Sequence, residues 1–238
     1  MEVKFSQYTD CGGRKNNEDS IGIGDGIYIV ADGLGGHSYG EIASSKVVEF
    51  LIQNYQGLED FQDEKMKEII KNTNNYLCDL KREKPFYENM ATTVVSAFIK
   101  EEKFNYLNVG DSRMYYFRKN KIYRQSKDHS MTQIAVDMGE IKKKQMRFDE
   151  NRNRLTKVLG TNPELKVSDK FEAFQMMRGD AFLLCTDGFW EYISEWKMRW
   201  FLMISKTPED WMNKMVTEIG KKVVGENDNL SAICGMIC

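Results

Sequence analysis

The chain has 238 residues, a length that fits one compact domain with a sizeable core. Its composition, 41% hydrophobic and 29% charged with only 3 prolines, is that of a globular protein and excludes a disordered one. The formal net charge of -2 gives no general electrostatic reason to bind nucleic acid or an anionic membrane surface, so we expect neither as a partner.

The N-terminal third is predicted to form strands and hairpins, because glycine clusters separate short apolar runs. Residues 26–31 predict a strand that leads into Asp32-Gly33, and the apolar spacing over residues 41–53 predicts the helix that follows. Residues 64–81 predict a second helix whose apolar face covers a sheet.

The middle of the chain predicts an antiparallel meander of four strands, with a tight Lys119-Asn120 turn before the last strand. These strands are predicted at residues 92–99, 103–109, 113–118 and 121–124. A charge-rich helical pattern covers residues 131–148. The remaining predicted elements are strands at 171–175, 181–186 and 231–237 and helices at 190–204 and 208–223. Because strands and helices come in runs, the predicted fold class is α+β, with packed antiparallel sheets covered by helices.

Acidic residues recur next to the predicted strands. They are Glu18-Asp19, Asp32-Gly33, Asp111, Asp187-Gly188 and Asp228-Asn229. An isolated Asp-Gly is most often only a turn, but that explanation weakens when several occur in similar contexts. Hard divalent cations such as Mg²⁺ or Mn²⁺ take oxygen ligands and keep several waters, so a two-metal site needs few carboxylates. The pattern therefore favours a metal site built from several strand ends.

Other hydrolase and nucleotide-binding signatures are missing from the sequence. Only His37 and His129 are histidines, and no HExxH, CxxC, GxSxG or P-loop motif occurs. The five cysteines are odd in number, so we assign them no chemistry and expect a reducing cytoplasm. We predict neither a signal segment nor a membrane-spanning stretch. An oxygen-ligated metal hydrolase remains.

Taken in order, eight segments resemble the metal-dependent protein serine/threonine phosphatase family, type 2C, over essentially the whole chain. The first two are Arg14-x-x-x-Glu18-Asp19 and the metal loop VADGLGGHSYGEIAS at residues 30–44. The others are ATT at 91–93, GDSR at 110–113, DHS at 128–130, LTKVLG at 155–160, LLCTDGFW at 183–190 and DNLSAI at 228–233. Leu34 follows the Asp-Gly of the metal loop, where many eukaryotic members have histidine, so the chain resembles a bacterial-type member.

This resemblance implies a four-layer α-β-β-α sandwich of two antiparallel sheets flanked by helices, with residues 1–238 forming a single catalytic domain. It implies two Mn²⁺ or Mg²⁺ ions in a cleft at one edge. Asp32 is expected to bridge both ions, and the Gly33 carbonyl and Glu18 or Asp19 contribute oxygens. Asp187 and Asp228 complete the shell of the second ion. Asp111 matches a position for a third, weaker ion, its alternative role being a turn aspartate.

The resemblance also implies a mechanism and a set of partners. Arg14 is expected to bind the substrate phosphate, since a guanidinium makes paired hydrogen bonds to phosphate oxygens. A water held by both ions attacks phosphorus in line, without a covalent phosphoenzyme. Asn229 orients the metal shell or is a turn amide. The expected substrates are phosphorylated proteins, a Ser/Thr kinase is the expected cognate partner, and the chain is expected to be a monomer.

Three weaker signals leave alternatives open. His37 is either a loop residue or the acid for the leaving alkoxide, a role that a metal-bound water can also fill. The family's variable flap matches residues 131–155 and carries Lys142, Lys143, Lys144 and Arg147, which form a solvated face or favour acidic phosphopeptides. The apolar spacing of Trp190, Ile193, Trp196, Trp200 and Met203 predicts a buried helix face in preference to a partner groove.

Two other functions compete with protein dephosphorylation. A pseudophosphatase would keep the fold as a scaffold or sensor without turnover, but such members typically lose a metal ligand, and Arg14, Asp32, Asp187 and Asp228 are all present. A phosphatase acting on a small metabolite or an anti-sigma-type partner would use the same metals. Turnover of phosphopeptides and metabolites separates these alternatives.

Overall fold

The computed structural model describes residues 1–35, 39–55, 63–165, 173–223, 225 and 227–238. The strands are β1 Val3–Asp10, β2 Asp19–Gly24, β3 Ile27–Leu34, β4 Ala91–Thr92, β5 Val94–Lys100, β6 Lys103–Val109, β7 Arg113–Arg118, β8 Lys121–Gln125, β9 Phe174–Gln175, β10 Ala181–Cys185 and β11 Leu230–Ile237. The α-helices are α1 Gly40–Tyr55, α2 Asp63–Glu83, α3 Met131–Asp137, α4 Asp187–Trp190, α5 Glu195–Ile204 and α6 Pro208–Gly220. Short 3-10 helices cover Pro85–Tyr87 and Lys143–Phe148.

Two antiparallel sheets stack on each other. One has the order β1-β11-β10-β7-β8, and the other has the order β2-β3-β5-β6-β9 with β4 paired to β3. Strand β3 shows why three hydrophobic layers form, since its side chains alternate between two faces. Ile29 packs with α1 and α2, whereas Tyr28 and Val30 pack against the opposite sheet. A third layer joins β7, β10 and β11 to α4, α5 and α6. The predicted helix-sheet-sheet-helix order is confirmed.

The predicted four-strand meander is wrong. Strands β5 and β6 pair with each other, as do β7 and β8, but β6 and β7 belong to different sheets. The chain crosses between sheets at residues 110–112, where Gly110 has φ +105 and approaches Thr93 too closely for a Cβ atom. The Lys119-Asn120 turn is confirmed, and both of its residues have positive φ, as a type I′ hairpin requires.

Two predicted helices are interrupted. The pattern over residues 131–148 forms α3 and a 3-10 helix, separated near Gly139, which has φ +78. The helix predicted at 190–204 is divided between α4 and α5 by a turn over residues 191–194. Of the strand predicted at 171–175, residues 171 and 172 lie outside the described part, and β9 covers Phe174–Gln175.

The interruption between α4 and α5 explains why the predicted buried face is wrong. Trp190 and Ile193 are buried, but Trp196, Trp200 and Met203 expose 60%, 46% and 58% of their surface. Because the turn shifts the helical phase, α5 buries Met198, Phe201 and Leu202 instead. The exposed side chains lie on the outside of α5.

Within the described ranges, we find no helix whose length and apolar character would suffice to span a membrane.

Candidate metal centre

A cleft of about 550 Å³ brings most of the predicted site residues together. Its lining includes Arg14, Glu18, Asp32, Gly33, Asp111, Asp187, Asp228 and Asn229. Asp19 does not line the cleft but lies opposite Asp32 in the β2–β3 register. All nine predicted residues therefore lie in or directly behind one site, although they come from segments spread over the whole chain.

Hydrogen bonds from the ATT segment fix the backbone around Asp32. The Asp32 amide donates to the Thr93 hydroxyl at 3.1 Å. The Asp32 carbonyl accepts from the Thr92 hydroxyl at 2.8 Å and from the Thr93 amide at 2.9 Å. With both backbone groups satisfied, β3 presents the Asp32 carboxyl at a defined point of the cleft.

Two glycines allow Glu18 to approach the end of β3. A Cβ atom on Gly33 would lie 2.1 Å from the Gly40 carbonyl oxygen, and one on Gly40 would lie 2.8 Å from the Gly33 oxygen. The same Gly40 position lies 2.9 Å from Glu18 Cδ. The Gly33 carbonyl and the Glu18 carboxyl thus flank one glycine, which suits two oxygen ligands of a common ion.

A third glycine brings Asp187 beside Asp228. A Cβ atom on Gly188 would lie 2.1 Å from the Asn229 carbonyl oxygen and 3.2 Å from Asp228 Cβ. The Gly188 amide donates to the Asp187 carboxyl at 2.6 Å, and the Asn229 amide donates to the Asp228 carboxyl at 2.9 Å. Both carboxylates are therefore oriented by the backbone that follows them.

Asn229 connects the start of β11 to the segment that carries Arg14. Its side-chain oxygen accepts from the Glu18 amide at 2.8 Å, and its side-chain nitrogen donates to the Cys11 and Asn16 carbonyls. Arg14 donates to the Asp228 carboxylate at 3.0 Å, with 58% of its side chain exposed. This single hydrogen bond leaves further guanidinium N–H groups for a phosphate.

The Asp111 backbone is supported from below by an aromatic and ionic cluster. Trp190 Nε1 donates to the Asp111 carbonyl at 3.0 Å. The Arg113 guanidinium carbon lies 3.3 Å from the centre of a Trp190 ring, and Arg113 forms a buried, two-pronged ion pair with Asp128. The GDSR, DHS and TDGFW segments therefore meet under the cleft, and Asp111 is held by tertiary contacts.

Burial and mutual repulsion raise the pKa values of the buried carboxyls Asp19, Asp32 and Asp111. Burial is the main reason why the pKa values of Asp32 and Asp111 lie well above the ordinary range of a carboxyl. The charge of Asp187 raises both pKa values further. Burial also raises the pKa of Asp19 to about 7, with a further contribution from Asp187. Crowded carboxylates that disfavour ionisation are stabilised when a divalent cation neutralises them.

The donor set fits hard divalent cations. Asp19 Oδ1 is buried without a hydrogen-bond partner, which is costly for a carboxylate unless a cation or an ordered water completes it. Among the described residues, no group of three or more Asp, Glu, His or Cys side chains is arranged to hold a metal ion by itself. Mg²⁺ and Mn²⁺ accept such an arrangement, because waters and backbone carbonyls supply the remaining ligands.

Other residues around the cleft were not predicted from the sequence. Burial raises the pKa of Glu18, and the charge of Glu41 at the start of α1 raises it further. The Glu41 Oε2 atom is itself buried without a hydrogen-bond partner. The position of Glu41 within the metal loop at residues 30–44 was the available signal. Asn153 and Leu155 line the cleft from the segment that resembles the flap.

The structure limits the choice of a proton donor. Leu34 lines the cleft where many eukaryotic members have histidine, whereas His37 lies outside the described residues. His129 accepts from the Gly110 amide at 3.2 Å through Nδ1, and burial lowers its pKa to about 4. It is therefore neutral at physiological pH and acts as a hydrogen-bond acceptor for the Asp111 turn.

Replacing Asp19 with Asn is expected to stabilise the metal-free protein in a pH-dependent way. Because folding raises the Asp19 pKa from 3.8 to about 7, its protonation favours the fold fully at low pH, and this contribution is lost as the pH rises through about 7. Asp19→Asn should therefore add stability on the order of 4 kcal/mol at about pH 8 and little at about pH 4.

Urea unfolding in the presence of a chelator, at both pH values, measures this difference. Comparing the variant with the parent chain at each pH cancels the titration of shared groups that do not interact with Asp19, such as His129. An equal effect of the substitution at the two pH values would contradict the assigned burial of the Asp19 carboxyl.

Comparisons with known proteins agree with this geometry. A family model described as Protein phosphatase 2C matches residues 14–221. Serine/threonine phosphatase stp of Listeria welshimeri is 28% identical over 231 residues, which cover 92% of this chain and 90% of that protein. The structure of Stp1 from Staphylococcus aureus superposes with a TM-score of 0.88 at 28% identity, covering 100% of this chain and 96% of that one. The PstP catalytic domain, solved with 2 manganese ions, superposes with a TM-score of 0.83 at 24% identity, covering 98% of this chain and 97% of that one.

Proposed function

The chain belongs to the protein phosphatase 2C family, and from this premise we propose that it hydrolyses phosphoserine and phosphothreonine in proteins at a site for two Mn²⁺ or Mg²⁺ ions. One observation carries the proposal: Asp32, Asp187 and Asp228 converge from distant parts of the chain into one cleft beside Arg14. The chain is thus a bacterial-type serine/threonine phosphatase with an intact acidic site.

The metal ligands that we propose are those that the family resemblance implies, and all of them lie in or behind the cleft. Asp32 would bridge both ions, with the Gly33 carbonyl and Glu18 on one side and Asp187 and Asp228 on the other. Asp19, behind Asp32, would orient the ligands or hold a metal-bound water. Asp111 would hold the third, weaker ion. The support is the location of these oxygens around a single cleft and the crowding that raises the pKa of the buried carboxyls.

When bound, the ions would supply a water of lowered pKa and would polarise the phosphoryl oxygens. Arg14 binds and orients the phosphate, and its charge stabilises the transferred group in the transition state. Asn229 holds the Arg14 segment in register with Asp228 through its hydrogen bonds to Cys11 and Asn16. Leu34 has no proton to donate, so the leaving alkoxide would take its proton from water or from His37, which lies outside the described residues.

The same proposal extends to the partner protein and to the cellular location. A serine/threonine kinase must supply the phosphorylated protein substrate, so we propose one as the cognate partner. All five cysteines carry free thiols, which supports a reducing cytoplasm as the location. We further propose that residues 131–155 act as the flap beside the cleft and that the catalytic domain works as a monomer.

Replacing Arg14 tests the proposed phosphate contact. Arg14→Ala should lower kcat/KM for a phosphothreonine peptide with Mn²⁺ by about 10- to 100-fold, since a charged hydrogen bond is worth about 1.5–3 kcal/mol. Arg14→Lys should recover part of this loss, because it restores the charge without the paired geometry. Steady-state phosphate release measures both variants.

The matched control is Arg178→Ala, which removes an exposed arginine that does not line the cleft. It should leave kcat/KM unchanged. A metabolite phosphatase would instead hydrolyse small phosphate esters far better than the peptide, and a pseudophosphatase would hydrolyse neither substrate. Unchanged peptide hydrolysis by Arg14→Ala would contradict the proposed role of Arg14 in binding the phosphate.

A further inference from the structure

Helix α5 carries an exposed apolar stripe, which we define as Trp196, Trp200, Met203 and Ile204. These side chains expose 60%, 46%, 58% and 44% of their surface, respectively. Their spacing of four, three and one residues places them along one side of the helix. Single exposed apolar residues are ordinary, but two tryptophans with Met and Ile on one face form a contiguous patch of the kind that marks interaction sites.

This stripe borders a groove between α5 and α6 with a volume of about 440 Å³. Trp200, Phe201 and Ile204 form its apolar side, and Asn213 and Thr217 lie on α6. The other lining residues are Lys197, Lys214, Glu218 and Lys221. None of the groove residues lines the metal cleft, so the groove is a separate surface.

The groove has an excess of positive charge. Lys197 and Lys221 both pair with Glu218, and Lys214 pairs with Asp210, so three lysines share two carboxylates. Outside the groove lining, the charges of Arg199 and Lys206 are balanced by Glu195 and Glu209, so the local excess is that of the three groove lysines over two carboxylates. Because the whole chain has a net charge of -2, this local excess is opposite in sign to the rest of the protein.

We propose that the α5–α6 groove docks an acidic amphipathic helix of a partner protein. The apolar face of such a helix would cover Trp200 and Ile204, and its carboxylates would face Lys214 and Lys221. A helix laid in a groove between two helices is a common mode of peptide recognition, and opposite charges set its orientation. This docking site goes beyond dephosphorylation and does not depend on the metal centre.

Two other occupants fit the groove less well. A second copy of the chain would bring the same lysine-rich wall against itself, which places like charges together. A flat lipid surface would contact the protruding Trp196 and Met203 but not Phe201, which is only 8% exposed. Charge and concave shape together favour the acidic helix.

The test uses two synthetic amphipathic helical peptides with the same leucine face, one with glutamates and one with lysines on the polar face. Fluorescence anisotropy with the full chain should show binding of the glutamate peptide and no binding of the lysine peptide. Trp200→Ala should weaken binding of the glutamate peptide at least tenfold. The double variant Lys214→Glu with Lys221→Glu should reverse the preference and bind the lysine peptide.

The matched control is Phe86→Ala, which removes an exposed aromatic side chain outside the groove and should leave peptide binding unchanged. Hydrolysis of p-nitrophenyl phosphate by every groove variant should equal that of the parent chain, which shows that the variants fold and that docking is separate from catalysis. The proposal is overturned if neither peptide binds, or if both bind equally. It is also overturned if Trp200→Ala instead abolishes binding to phosphatidylglycerol vesicles or dissociates a dimer.

Discussion

Asp32→Asn is expected to lower kcat for a phosphothreonine peptide by at least about 10³-fold, equivalent to about 4 kcal/mol of transition-state stabilisation. The reason is that Asn keeps the shape of Asp32 but removes the charge that we assign to both ions. Burial and the neighbouring Asp187, Asp19 and Asp111 raise the pKa of Asp32, so its charge is costly in the metal-free fold. The variant should therefore remain folded while it loses activity.

The matched control is Asp25→Asn, which makes the same chemical change at an exposed position between β2 and β3. Its kcat should stay within about twofold of the parent value, as for a surface substitution far from the site. Circular dichroism and urea unfolding of both variants separate a catalytic loss from an unfolding loss. Retention of full activity by Asp32→Asn would contradict the assignment of Asp32 as the bridging ligand.

Asp128→Ala is expected to destabilise the protein by about 3–5 kcal/mol, because it removes the close partner of the buried Arg113 charge and leaves only the Glu195 carboxylate at 3.9 Å. The side chains of Arg113 and Asp128 are only 3% and 2% exposed, and they are joined at 2.7 Å. Trp190 stacks on Arg113 and donates to the Asp111 carbonyl, so the loss should also loosen the turn that carries Asp111. Urea unfolding measures the change in the free energy of unfolding.

Two comparisons isolate the buried charge as the cause. Replacing both partners, with Arg113→Met and Asp128→Leu, should recover much of the lost stability, because no unpaired charge remains. Asp79→Ala breaks an ion pair with Arg82 whose side chains are 60% and 69% exposed, and it should cost less than about 1 kcal/mol. A loss below about 1 kcal/mol for Asp128→Ala would show that the pair is not effectively buried.

Much of the candidate site was predictable because its acidic residues lie in or beside strands and two of them directly precede a glycine, which are local features of the sequence. Asp32-Gly33 and Asp187-Gly188 mark places where the backbone is packed too closely for any side chain on the glycine. Their order matched the family motifs, so the resemblance assigned the residues that the structure brings into one cleft. The type I′ turn at Lys119-Asn120 was predictable for the same reason, since its backbone conformation depends on local geometry.

Features that depend on tertiary packing were not predictable. The pairing rules that suggest a meander do not indicate that the chain changes sheets at Gly110, because that crossing is set by the packing of Gly110 on Thr93. Likewise, the apolar spacing from Trp190 to Met203 continues across a turn that periodicity alone does not detect. The support of Asp111 by Trp190, Arg113 and Asp128 joins three distant segments, so no single motif predicted it.

Isothermal titration of Mn²⁺ into chelator-treated protein, followed by a phosphothreonine peptide assay at each point, tests the central claim most directly. The parent chain is expected to bind two ions with high affinity, with phosphate release returning as they bind, and Asp32→Asn should bind fewer ions and recover no activity. Phosphate release by the chelated parent chain, or full activity in Asp32→Asn at any Mn²⁺ concentration, would contradict a binuclear metal centre built on Asp32.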